Sequence, residues 1–226
     1  SRPANTSIKR KRHPEMARLN KPMYLFLLGI PGCGKSEIYR RLSSRFIDEG
    51  LVDDCQRFDD YPILWDYFQE DGPRTEPCED GGYKILDDSL WDDVLKDLDK
   101  KCRAKTDPGI LTFIEFARGD NCSALENFSD EILDNSLLIY IYCPFEEAWR
   151  RNVERHEEAV EEGTDDHLVS REEMEETYGN DDHEELLENP PVPAVRIDND
   201  EPSLDKLERE VERAFDEIRE QLTERV

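Results

Sequence analysis

Eight consecutive residues, Gly29-Ile30-Pro31-Gly32-Cys33-Gly34-Lys35-Ser36, restrict the possible folds of this chain more than any other feature. They fit G-x-x-x-x-G-K-[ST] without a mismatch. An apolar run, Met23–Leu28, precedes them, and a helical pattern with Ile38, Leu42 and Phe46 at four-residue steps follows and stops at Gly50. Glycines let the backbone curl until successive N–H groups face inward as an anion nest. A helix that starts directly after the curl adds the positive end of its dipole. The sequence therefore predicts a buried strand, a phosphate cradle and a helix, in that order. In such a cradle the backbone of Gly29, Gly32, Cys33, Gly34, Lys35, Ser36 and Glu37 wraps a polyphosphate. Lys35 reaches the β- and γ-phosphates, and the Ser36 hydroxyl is set for Mg²⁺.

The rest of the chain alternates strand signals with helix signals. Cys55–Phe58 reads as a short second strand, Ile110–Phe116 and Leu137–Tyr142 as buried strands, and Ala194–Ile197 as a last one. Between them lie an amphipathic helix carrying Leu90, Val94, Leu95, Leu98 and Cys102, a short helix at 123–134 and a charged helix from Phe145 to Glu161. A helical turn at Arg171–Tyr178 and a final helix with Leu207, Val211, Phe215, Ile218 and Leu222 on one face complete the series. Apolar strands alternating with helices imply a parallel sheet covered on both faces, an α/β class. Residues 60–85 mix Tyr61, Trp65, Tyr67 and Phe68 with Pro73, Pro77 and Gly81-Gly82, and read as an irregular insertion.

Composition narrows the function. The 226 residues carry 30 Lys+Arg against 56 Asp+Glu, a net charge of −26. Such a surface repels nucleic-acid backbones and anionic membranes at long range. No apolar run approaches the roughly 20 residues of a membrane span, so the expectation is a cytoplasmic protein without membrane contact. The six cysteines are dispersed singly, without metal-ligand or disulfide-framework spacing. Charge is segregated: within residues 1–22, seven basic residues face Glu15 alone, giving +6 there and −32 elsewhere. This stretch reads as a flexible basic arm ahead of one domain at 23–226, and it is the one place where nucleic acid could bind.

With its octapeptide between an apolar strand and an amphipathic helix, the chain resembles the P-loop NTPases. Its size and layout are similar to the P-loop kinase branch, which includes nucleoside monophosphate kinases, gluconate kinase and zeta-toxin-like enzymes. The resemblance implies a three-layer fold with a central five-stranded parallel sheet and a helical lid, here acidic and spanning 145–190. It also implies ATP, Mg²⁺ and transfer of a γ-phosphoryl group to a small metabolite or nucleoside-like acceptor, with residues 60–85 in the acceptor-binding slot. Residue by residue, Asp59-Asp60 fall where such kinases keep a carboxylate that orients the acceptor, and Asp59 where it would join Ser36 at the metal. Glu115 ends a strand of Walker B form, and Arg118 looks like an arginine placed near the substrate. Arg151 and Arg155, four residues apart on one helix face, are similar to lid arginines that neutralise the transferring phosphoryl group. Asn199 lies in a segment like the one that borders adenine. Each has a plain alternative: Asp59-Asp60 as one more solvated acidic doublet, Glu115 as a strand terminator, and the arginines in i,i+4 pairs with Glu147 or Glu154. Two rival functions stay open, a 5′-hydroxyl polynucleotide kinase that uses the basic arm and a nucleotide-binding regulatory NTPase without an acceptor. No N-K-x-D run is present, which disfavours a GTPase.

Overall fold

The computed structural model describes residues 19–70, 72–77, 83–162 and 171–224. In chain order the elements are β1 (Met23–Leu28), α1 (Lys35–Asp48), β2 (Asp54–Asp59), α2 (Tyr61–Gln69), β3 (Thr75–Pro77), β4 (Tyr83–Ile85), α3 (Ser89–Ala104) and β5 (Ile110–Glu115). There follow α4 (Asn121–Leu125), α5 (Asp130–Leu133), β6 (Ser136–Tyr142), α6 (Phe145–Glu162), α7 (Arg171–Tyr178), α8 (His183–Glu188), β7 (Ala194–Asp198) and α9 (Leu204–Glu224). Five strands form an all-parallel sheet in the order β2-β5-β1-β6-β7, and β3 and β4 form a separate antiparallel pair.

Strand β1 is buried along its whole length because it lies in the middle of the sheet. Its side chains divide with the pleat. Met23, Leu25 and Leu27 join α1 and α9 on one face, where Phe46 packs against Phe215 with ring centroids 5.0 Å apart. Tyr24, Phe26 and Leu28 join residues from α3, α4, α5 and α8 on the other. Each large apolar side chain buried this way contributes about 1.5–3 kcal/mol. The three-layer α/β fold with a five-stranded parallel core is therefore as expected. No described helix is long and apolar enough to cross a membrane.

Two local readings need correction. Residues 60–85 are not irregular throughout: α2 and the β3–β4 pair occupy much of the segment, and Pro62 is accommodated in the first turn of α2, where no helical N–H is needed. Leu64, Tyr67, Phe68 and Ile85 then meet Leu90, Trp91 and Val94 of α3 in a satellite core. The single helix expected at 123–134 is two short ones, α4 and α5. Among the described residues of the acidic segment 145–190, Ala148, Met174 and Leu186 are buried, with Met174 in the α1–α9 core and Leu186 in the opposite one. At the other end, Leu19 is already packed in the core and its N–H donates to the Leu51 carbonyl (3.3 Å). The basic residues before it, and the Asp165-Asp166-His167 run, lie outside the described residues.

Candidate active site

Order in the sheet reverses at β1, with β5 on one side and β6 on the other, which is where parallel α/β sheets form their crevice. The octapeptide leaves the carboxyl end of β1 at this point. Gly32 (φ 82°) and Gly34 (φ 102°) hold left-handed backbone that L side chains rarely adopt. A Cβ on Gly32 would lie 2.2 Å from the Ala148 carbonyl oxygen of α6, so the loop can reach that helix only without a side chain there. Gly34 caps α1, and the first bond of the helix runs from the Ile38 N–H to the Gly34 carbonyl (3.1 Å). The N–H groups of Lys35, Ser36 and Glu37 thus precede the helical ladder and are available to an anion. The Lys35 ammonium lies over the loop and donates to the carbonyls of Gly29 (2.8 Å) and Ile30 (3.3 Å). The Cys33 thiol is fully buried, and burial pushes its pKa up against the opposing pull of Lys35.

Asp59 and Asp60 part company at the end of β2. Asp59 stands beside Glu115 in the β2–β5 register and accepts a hydrogen bond from the Tyr61 N–H (3.1 Å). Alternation along the strand puts Arg57 on the same face, under α1. Its guanidinium donates to Ser36 Oγ (3.2 Å), lies 3.4 Å from Glu115 Oε2 and stands 5.2 Å from the centre of the Tyr39 ring. Glu115 Oε2 is buried, within ion-pair distance of Arg57 but without a hydrogen bond. Burial holds the Glu115 carboxyl above the usual range, and Asp59 and Asp60 add to this while Lys35 and Arg57 oppose it. Asp60 turns the other way, into a buried ion pair with Arg118 (2.7 Å). The Arg118 guanidinium stacks 4.6 Å from the Trp91 ring centre, donates to the Ala117 carbonyl (2.7 Å) and keeps Nε and Nη2 buried without partners.

The remaining expected residues are less uniform. Arg151 is bound to Glu147 (2.7 Å) and lies close enough to oppose the rise of the Cys33 pKa, so it belongs to the loop's surroundings. Arg155 donates to Asn152 Oδ1 (3.3 Å), one turn back. The Glu37 carboxylate is tied to Arg40 and Arg41, so what it offers the cradle is its N–H. Asn199 is a brace: its buried amide donates to the Cys33 carbonyl (2.8 Å) and its N–H to the Tyr142 carbonyl (2.8 Å). Arg74 and Tyr67 are taken up by α3, through Asp93 (2.5 Å) and Asp97 (2.7 Å), whereas Tyr61 and Trp65 stack on an exposed face.

Sequence reasoning missed two features. Arg57 was legible in principle, since period-two alternation places it on the Asp59 face of β2. Asp181-Asp182-His183 was not, because its partners are far away in the chain. Asp181 accepts from the Tyr140 hydroxyl and lies 2.6 Å from His183 Nδ1, and the His183 ring stacks on Tyr140. Asp182 accepts from Asn121 N–H, Asn121 Nδ2 and Cys122 N–H at 2.7–2.8 Å.

For a metal, the available donors are the Ser36 hydroxyl and the carboxylates of Asp59 and Glu115. Among the described residues no group of three or more His, Cys, Asp or Glu forms a self-contained metal site. That donor set suits Mg²⁺, which keeps most of its shell for water and phosphate oxygens, and Glu115 Oε2, which accepts no hydrogen bond, is a fitting outer contact.

A glycine-built anion ring at the switch point of a five-stranded parallel sheet, with a lysine and a hydroxyl at the start of its helix, defines the class: this is a P-loop NTPase. The family described as AAA domain matches residues 25–178, and the chain belongs to it. None of the curated proteins matches the sequence. Among solved structures, APS kinase CysC of Mycobacterium tuberculosis, in complex with AMPPNP and APS, is 13% identical over 88% of this chain and 98% of that one, with a TM-score of 0.53. Kti12 of Chaetomium thermophilum, in complex with ADP-AlF3, is 14% identical over 87% and 97%, with a TM-score of 0.52. The protein APE1195 is 16% identical over 91% and 99%, also with a TM-score of 0.53. At these identities the likeness is one of fold.

Proposed function

We propose that this protein is an ATP- and Mg²⁺-dependent phosphotransferase that moves the γ-phosphoryl group to a hydroxyl of a small metabolite or nucleoside-like acceptor. The observation that supports this reading is the setting of the pair at the end of β2: Asp59 stands beside Glu115, while Asp60 is paired with Arg118 against Trp91. The neighbouring structures support the reading, since APS kinase was solved with both a nucleotide analogue and its acceptor.

Lys35 and the N–H groups of Gly32–Ser36 stabilise charge that develops on the transferring group. Asp59, steadied by the Tyr61 N–H, orients the acceptor hydroxyl and takes its proton. Asp60 acts through Arg118, keeping that guanidinium in place with two nitrogens directed away from the pair. Glu115 holds a proton more firmly than an ordinary carboxyl and shares the Ser36 side of the site. Arg151 and Arg155 add positive charge from α6. Ser36 Oγ and Asp59 would hold a bound Mg²⁺, which would supply positive charge against the phosphates. The partners are a nucleoside triphosphate and the acceptor.

The test is ADP release from ATP and Mg²⁺ with nucleosides, sugars, amino-sugar antibiotics and 5′-hydroxyl RNA as trial acceptors, Lys35→Ala serving as the blank. One acceptor class should raise turnover, and the variant should lose roughly 10²–10³ of it, as when one transition-state donor is removed. If no acceptor raises turnover above the basal rate, the site is that of a regulatory nucleotide-binding module.

A further inference from the structure

Arg57 has no part in the arrangement proposed above, yet it stands at the centre of the Ser36 side of the site. Its Nη1 lies 3.2 Å from Ser36 Oγ and 3.4 Å from Glu115 Oε2, the oxygens that converge where a divalent cation would be held. A hydroxyl oxygen that accepts a hydrogen bond from a guanidinium offers the same lone-pair face that it would turn to a metal. The two cations therefore compete for one oxygen. Around this point the fixed charges are Lys35, Glu115 and Asp59, with Asp60 neutralised by Arg118. A guanidinium is always charged and presents a fork that fits phosphate oxygens. In the same conformation its central carbon is 5.2 Å from the Tyr39 ring centre, three residues along α1 from Ser36, so the aromatic face steadies the guanidinium beside the Ser36 oxygen.

We infer that Arg57 is a built-in counter-cation of the phosphate site, which holds Ser36 and Glu115 when no metal is bound, supports binding of a metal-free nucleoside triphosphate, and gives up the Ser36 oxygen when a divalent ion takes it. Arg57 is then a positioning residue for phosphate and metal, and the chain retains nucleotide where magnesium is scarce. The inference rests on the nucleotide-site reading given above.

Calorimetric titration of the full chain with ATP, once with EDTA and once with Mg²⁺, tests it on binding alone. For Arg57→Gln, affinity for ATP in EDTA should fall about tenfold, the loss of one charge-assisted hydrogen bond. Affinity with Mg²⁺ should stay within about twofold of the parent, because the divalent ion then supplies the positive charge at the Ser36 oxygen. Arg57→Lys should recover part of the EDTA affinity, since the charge is kept and the fork lost. Thermal unfolding of each variant in the absence of nucleotide separates a folding defect from a binding one. Equal losses in both conditions, or no loss in either, would overturn the role given to Arg57 and leave the nucleotide site standing. A parent protein that binds no ATP even with Mg²⁺ would overturn the proposed function and this inference with it.

Discussion

At the scale of single residues, the site combines groups that favour function at a cost to stability. Glu115 is the clearest case. Its carboxyl is half enclosed at the end of β5, one oxygen has no hydrogen bond, and burial raises its pKa. In the unfolded chain the same group ionises near the ordinary glutamate value of about 4.3. Between that value and the raised one the folded protein binds more protons than the unfolded chain, so stability from this group falls as pH rises through the window. Glu115→Gln cannot ionise and is spared that loss. Its melting temperature is expected to match the parent near pH 4 and to exceed it at pH 7, while turnover falls. Thermal scans across pH check this, and a gap that stays constant with pH would rule the explanation out. The contrast with Arg118 is instructive, because there the charge is compensated by Asp60 and the ring of Trp91. The sequence offered Glu115, Asp60 and Arg118 as candidates through their resemblance to kinase motifs, Glu115 also as the end of an apolar strand. It did not reveal which carboxylate pairs with which cation, since that depends on side-chain direction at the end of β2.

At the scale of elements, legibility followed the range of the interactions. Strands β1, β5 and β6 were readable because a fully buried strand is an uninterrupted apolar run, and α1, α3 and α9 because their core faces repeat with helical period. The phosphate loop was readable because its chemistry is local to eight residues. Strand β2 is an edge strand with half-exposed residues, so its signal was weak. Helix α2 was hidden by the Pro73, Pro77 and Gly81-Gly82 that follow it in the same segment. Least legible was the docking of the acidic segment, because it depends on contacts across some sixty positions. Asp182 lies 61 residues from Asn121 and accepts from its backbone and side chain, and it also receives the Cys122 N–H, tying α4 to the start of α8. Burial by itself would raise the Asp182 carboxyl, yet these donors hold it below the ordinary range. Asp182→Ala leaves buried N–H groups without an acceptor and is expected to cost roughly 2–3 kcal/mol. For a chain of this size that lowers the melting temperature by about 5–10 °C. The stabilisation is present above the unfolded aspartate value of about 3.9 and disappears as pH falls through the lower folded value. The difference between variant and parent should therefore shrink in strong acid, which the same thermal scans would measure. A loss that persists unchanged there would assign the effect to packing instead.

For the whole molecule the governing fact is the charge of −26, distributed over a fold whose core is conventional. Two electrostatic effects oppose each other as salt is added. Many surface ion pairs join residues three or four apart on one helix, such as Arg40–Glu37, Arg150–Glu147 and Arg213–Glu217, and screening weakens them. Pairs of this kind contribute only about 0.3–0.5 kcal/mol each, and much of their geometry is already available in an isolated helix. Repulsion among the unpaired carboxylates acts over the entire compact surface and is relieved on unfolding, when the charges move apart. Because acidic residues outnumber basic ones almost two to one, the second effect outweighs the first. Raising salt from about 50 mM to 1 M shortens the screening length from roughly 14 Å to 3 Å, below the spacing of most surface charges. The melting temperature of the full chain is therefore expected to rise with sodium chloride, most steeply below about 0.2 M, where the screening length changes fastest. A neutral osmolyte at matched osmolality is the control that separates screening from exclusion effects. A melting temperature that falls across the same range would mean that local ion pairs, and not the overall field, set the stability of this acidic fold.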